Sequence, residues 1–277
     1  MRNISKIVKE GLCICCGACK GICPVNAIVF KQKDGLLMPS ISNKCILCEL
    51  CYKICPGETI DYSKLNIKIF GKIPENIFIG NYSRILVGYS ADASIRYNAS
   101  SGGLVTSLLI FALEMGLIDG AIILGMSKKN PLQTKPIIAR NSKDVLDGMG
   151  SKYISGPIIG YAISEILKKK GKYAVVGLPC HITALKKAEF MNKKLRDRII
   201  LHFGLFCQTM VSAKALAFWL CVNKIEPADI TTLSFRGNGW PGGMKIKLKD
   251  GKVLFLSLIH ISEPTRPLYI SYAVFCL

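Results

Sequence analysis

From residue 85 onward, short apolar runs alternate with stretches whose apolar residues recur every three or four positions. The first pattern predicts buried strands and the second predicts helices with one buried face. Strands are expected at Ile85 to Tyr89, Ala121 to Leu124, Pro136 to Ala139, Tyr173 to Val176 and Ile199 to Phe206. Between them, Ser101 is placed to cap a helix opening at Gly102 and Gly103 and running through Leu104 to Met115. Pro157 suits the first turn of a helix reaching Lys169. Further helices are expected from His181 to Arg196 and from a Ser212 cap to Lys224. Met244 to Phe255 alternates lysine with apolar residues around Asp250-Gly251, which is a hairpin signal. Alternating β and α units predict an α/β domain with a largely parallel sheet.

The first 60 residues read differently. They hold two loops with short flanking strands such as Ala27 to Lys31, followed by a stretch of little periodicity. The expected organisation is an α+β ferredoxin-like cluster module over 1–60, a connector over 61–84 and an α/β domain over 85–255. The last segment, 256–277, reads LSLIHISEPTR and then ISYAVFCL. It resembles translated sequencing-adapter sequence and is set aside from the fold argument, so the natural chain is expected to continue beyond Phe255.

Composition narrows the classes. A chain of 277 residues can bury a core beside a small module. Its start carries no apolar signal core, and the most apolar stretch, Leu104 to Met126, is interrupted by Glu114 and Asp119. A cytoplasmic protein without a membrane span is expected. The net charge of +19 suits a basic face that steers an acidic partner, and equally a lysine-rich surface of no special role. Only Lys168 to Lys170 form a run, and no nucleic-acid motif accompanies the scattered lysines.

The chemistry announces itself in the cysteines. Cys13, Cys16, Cys19 and Cys23 precede Pro24, and Cys45, Cys48, Cys51 and Cys55 precede Pro56. Both runs are C-x2-C-x2-C-x3-C-P, the spacing of bacterial two-cluster ferredoxins. In that pattern three cysteines of one run and the fourth of the other hold each [4Fe-4S] cluster, the fourth sitting where a helix begins. The sets would be Cys13, Cys16, Cys19 with Cys55, and Cys45, Cys48, Cys51 with Cys23. Zinc ribbons also use CxxC pairs, but zinc has no use for two matching runs that each end in Cys-Pro. The spacing argues for reduced thiolates rather than disulfides. Cys15 and Cys221 are expected in the core.

In an open α/β sheet, ligands bind where strands end and helices begin. Four segments fall at such places: Ser100, Ser101, Gly102 and Gly103 with Thr106; Gly150, Ser151, Lys152 and Tyr153; Cys180 after Gly177-Leu178-Pro179; and Cys207 after Phe206. Each also has a plain reading, as a capped helix start, an ordinary loop or a buried cysteine. Neighbouring parallel strands would bring Cys180 and Cys207 to one sheet edge.

Taken in order, SSGGLVTSLLIFALEMGLIDGAII, GSKY, GLPCHITALKK, GLFC and FRGNGWPGG resemble the beta subunits of coenzyme F420 hydrogenases and dehydrogenases. The resemblance implies a flavoprotein binding FAD, with Ser100 to Gly103, Thr106 and Gly150 to Tyr153 lining the FAD site. It implies that Cys180 and Cys207 supply two ligands of a third [4Fe-4S] cluster. His181 stands where many members have glutamine, and Arg236, Trp240 and Gly242 shape the substrate side. The expected function is an iron–sulfur flavoprotein oxidoreductase, moving electrons between an acidic one-electron carrier such as ferredoxin and a small two-electron substrate. The alternatives are a non-catalytic relay subunit docked on a partner redox subunit and, from charge alone, a nucleic-acid binder.

Overall fold

The computed structural model describes residues 2–207, 210, 212–257 and 275–276. The chain opens with α1 (Ile4–Lys9) and α2 (Ala18–Ile22), then a hairpin of β1 (Ile28–Lys33) and β2 (Leu36–Ile41), and α3 (Leu50–Lys53). Next come α4 (Tyr62–Phe70), a two-residue strand β3 (Ile85–Leu86), α5 (Ala93–Asn98), α6 (Leu104–Glu114), β4 (Gly120–Met126), β5 (Thr134–Ala139), α7 (Ser142–Asp147) and α8 (Ile158–Lys168). After β6 (Tyr173–Gly177) follow α9 (Pro179–Met191), α10 (Lys193–Arg198), β7 (Ile199–Gly204) and α11 (Ala213–Val222). β8 (Ile230–Ser234), β9 (Gly243–Leu248) and β10 (Val253–Ser257) complete the order up to residue 257.

The central sheet has the order β5-β4-β6-β7, with β4, β6 and β7 parallel and β5 antiparallel at one edge. Its strands read AIIL and YAVV because α6, α8 and α9 cover them, and a strand buried on both faces has no polar side to show. A separate antiparallel sheet, β10-β9-β8, carries its own apolar cluster with α11. The turn between β9 and β10 holds Gly251 at φ +86°, as the Asp250-Gly251 signal requires.

Several expectations shift. The stretch 61–84 is not featureless. Asp61 caps α4 by accepting from the Lys64 N–H, and Gly71 closes it in the left-handed region at φ +75°. The helix expected from His181 to Arg196 is two. Asn192 adopts extended backbone and caps α10 with its side chain, so its own hydrogen bond competes with continuing α9. The Ile85 to Tyr89 strand contracts to two residues, and β7 ends at Gly204 rather than Phe206. α6 is capped by Gly103 in the left-handed region, not by Ser101. Cys221 is exposed, because α11 turns Leu216 and Leu220 inward instead. Most of the segment set aside, 258–274 and 277, lies outside the described residues.

The cysteine-rich first part is not a bead on a string. Cys16, Ala18 and Ile54 share one apolar cluster with Ile159, Ile163 and Val175 of the α/β part. Gly17 and Gly21 of α2 meet Gly160 of α8 so closely that a Cβ on Gly160 would lie 2.3 Å from the Gly17 carbonyl oxygen. Pro157 brings no side-chain cap to α8. Its first free N–H groups, on Ile159 and Gly160, donate instead to the Cys16 carbonyl at 3.0 and 3.3 Å.

Candidate functional site

The two cysteine runs fold as copies of one loop. Two residues after the first cysteine, Cys15 and Leu47 both stand at φ +57°, and one residue after the second, Gly17 and Glu49 stand at +79° and +60°. These left-handed residues curl each loop around a hollow, and the third cysteine of each run rides on the short helix that follows. The fourth cysteines do not begin helices. Cys23 ends α2, and Cys55 lies just past α3, where the next proline forbids another turn.

Cys13, Cys16, Cys19 and Cys55 line one hollow, together with the extra Cys15. Cys23, Cys45, Cys48 and Cys51 line the other. Each hollow thus brings together three cysteines of one run and the fourth of the other. Among the described residues no group of three or more His, Cys, Asp or Glu is drawn together to hold a single metal ion.

Their electrostatics agree. Burial, with backbone bonds opposing and neighbouring sulfurs adding to it, pushes the Cys16 thiol up to about 12. Burial likewise raises Cys19, Cys51 and Cys55. Thiolates so crowded persist only beside a compensating cation. Backbone N–H groups of Ala27 and Gly57 donate to the sulfurs of Cys23 and Cys55 at 3.3 and 3.4 Å. The hollows differ in exposure. Cys16 is buried in the cluster shared with the α/β part, and Cys19 and Cys55 among residues of the first part itself, whereas Cys48 is exposed, flanked by exposed Ile46 and Leu47.

At the sheet edge, Gly177 and Gly204 pair across β6 and β7, and Cys180 and Cys207 each follow three residues later. Burial raises the pKa of Cys180, with a smaller repulsion from Cys207, and Cys180 adds a small repulsion to the burial that raises Cys16. His181 is buried, and its Nδ1 accepts from the Leu178 N–H at 3.3 Å. It is a helix-start residue. Burial lowers its pKa to about 4, so the ring is neutral at ordinary pH. Cys15 is buried as expected.

The glycine- and serine-rich segments also converge. Ser100 Oγ accepts from the Ser151 N–H at 2.7 Å. Arg236 joins both: Nη1 donates to Tyr153 Oη at 3.0 Å and Nη2 to the Ser100 carbonyl at 2.7 Å. Its Nε is the one buried side-chain polar atom among the described residues left without a partner. Gly102 is held against Gly88 and Tyr89, where a Cβ would collide at 2.9 Å, and Thr106 is buried one turn into α6. Lys152 does not present its ammonium. Its Nζ donates to the carbonyls of Gly148, Met149 and Gly150, holding the loop after α7. Arg236 had been read as shaping a substrate side. Its position two residues past β8, in a glycine-rich run, was the signal for a loop residue reaching back.

Residues 85–161 match the model of the coenzyme F420 hydrogenase/dehydrogenase beta subunit N-terminal region, and 170–267 match that of its C terminus. An uncharacterized protein of Methanocaldococcus jannaschii is 31% identical over 92% of this chain and 74% of its own length. The coenzyme F420 hydrogenase subunit beta of Methanosarcina barkeri is 33% identical over 51% of this chain, which spans 50% of that protein. The solved F420-reducing [NiFe] hydrogenase complex from Methanosarcina barkeri contains a chain that superposes with a TM-score of 0.53 at 27% identity, covering 68% of this chain and 65% of that one. Through its paired domain matches and this kinship, the chain belongs to the coenzyme F420 hydrogenase/dehydrogenase beta-subunit family.

Proposed function

We propose that this protein is an iron–sulfur flavoprotein oxidoreductase subunit working between a one-electron carrier and a two-electron organic substrate. The observation that carries the reading is that three cysteines of each run line a hollow together with the fourth cysteine of the other run. Each set would hold one [4Fe-4S] cluster, and Cys180 with Cys207 would contribute to a third. FAD would lie where Ser100 to Gly103, Thr106 and Gly150 to Tyr153 converge. The unpartnered Arg236 Nε supports that placement, since a buried guanidinium donor calls for an acceptor. When bound, clusters supply one-electron transfer and FAD links it to two-electron chemistry.

The chain's own residues do the rest. The left-handed loop residues shape the hollows, and the Ala27 and Gly57 amides donate to the sulfurs. Ser100, Tyr153 and Arg236 lock the flavin loops together. The exposed Cys48 loop gives an external carrier, or a partner redox subunit, its nearest approach. Lysines around it, Lys44 and Lys53, favour an acidic one. Coenzyme F420, named in the relatives, is the first two-electron substrate to test.

Anaerobic isolation followed by flavin assay tests the reading. One FAD per chain, reduced on adding substrate, is the expected result. Clusters without any flavin, even after FAD is added, would overturn it and leave a relay subunit. One observation favours that rival: the complete four-cysteine sets are those of the two hollows, while the flavin loops commit Lys152 to backbone carbonyls.

A further inference from the structure

α9 packs against the part of the chain that carries the inner cysteine set. Cys180, Ala184 and Lys187 fall at i, i+4 and i+7, one face of a helix. Ala184 is wholly buried in the cluster shared with Cys16 and Ile54. At one end of this face Cys180 interacts with Cys16. At the other, Lys187 Nζ donates to the Cys55 carbonyl at 2.9 Å, with its side chain only 15% exposed. Its one ion-pair partner among the described residues, Glu58, is 3.9 Å away and leaves the charge partly uncompensated. No comparable buried cation touches the outer set among the described residues. Around Cys48 the lysines are exposed, where solvent and salt screen them.

We propose that Lys187 is a positioning residue that makes the inner cluster site, Cys13, Cys16, Cys19 and Cys55, the easier of the two to reduce. The inference rests on the cluster reading given above. One electron from the external carrier adds one negative charge to the cluster core, with no bond made and no proton moved. A fixed cation in a weakly polar surrounding stabilises that added charge far more than an exposed one does. Reduction potentials of such clusters follow local charge, hydrogen bonding and exposure. The ordering makes electrons settle at the buried site beside Cys180 rather than at the exposed one.

The test is a potentiometric titration of the anaerobically isolated full chain, followed by electron paramagnetic resonance, in wild type, Lys187→Gln, Lys187→Arg and Glu58→Gln. In Lys187→Gln the higher of the two midpoints should fall by about tenfold in reduction equilibrium, which is 59 mV for a one-electron couple. Lys187→Arg should restore it. Glu58→Gln, which removes the opposing charge, should move the same midpoint upward by about twofold to threefold. Unmoved midpoints with iron content retained would overturn the inference, as would shifts of the same sign in Lys187→Gln and Glu58→Gln. If Lys187→Gln loses its iron, the sign of the Glu58→Gln shift decides. A wild-type chain without clusters would instead overturn the proposed function itself.

Discussion

Arg236 shows how one side chain can turn separate sequence segments into a site. It bonds Ser100 and Tyr153 and keeps a buried Nε free. Arg236→Lys keeps the charge but loses the fork, and lysine cannot replace a guanidinium that serves several acceptors at once. FAD affinity is expected to fall at least about tenfold in Arg236→Lys and further in Arg236→Ala, in keeping with about 1.5–3 kcal/mol for a bond to a charged group. A flavin fluorescence titration reads this directly, and unchanged affinity would remove Arg236 from the site. Lys152 yields a pH prediction. Burial pulls its pKa from 10.5 to about 8. Between those values the unfolded chain binds the proton more tightly, so stability rises with pH from about 8 and levels off above 10.5. The shift corresponds to at most about 3 kcal/mol, which the three carbonyl partners partly offset. Lys152→Met should flatten the rise in Tm over that window relative to wild type. At this scale the convergence of the eight cysteines on two hollows was legible because the spacing within each run is local. The bonding of Lys152 was not legible, because a sequence shows a cation but not the carbonyls that occupy it.

Helices and strands were legible where periodicity was strong, as in α6, α8 and β6, and less so where a single cap decides. α4 depends on Asp61 and Gly71 more than on its apolar residues, none of which is buried. The break between α9 and α10 depends on Asn192 alone. The packing of α2 on α8 could not be read at all, because Gly17, Gly21 and Gly160 matter only once they face one another. Gly160→Ala forces a methyl group onto the Gly17 carbonyl. It is expected to cost about 1–3 kcal/mol in chemical denaturation and to loosen the Cys16 cap on α8. An unchanged denaturation midpoint would show that the two helices do not need their close approach.

At the scale of the whole molecule, the two expected parts share one core. The module's Cys16 and Ile54 pack with the α/β part's Ile159 and Val175. That union was not legible, since the sequence presents a module, a connector and a sheet in succession. It gives the cysteine sets unequal surroundings, one buried beside Cys180 and one open at Cys48. None of the helices among the described residues is long and apolar enough to cross a membrane. The most direct measurement is the iron and acid-labile sulfide content of the anaerobically purified chain. Two four-iron clusters predict at least about eight of each per chain, with Cys55→Ser and Cys23→Ser each lowering iron by about four. Two zinc ions per chain and no sulfide would contradict the account.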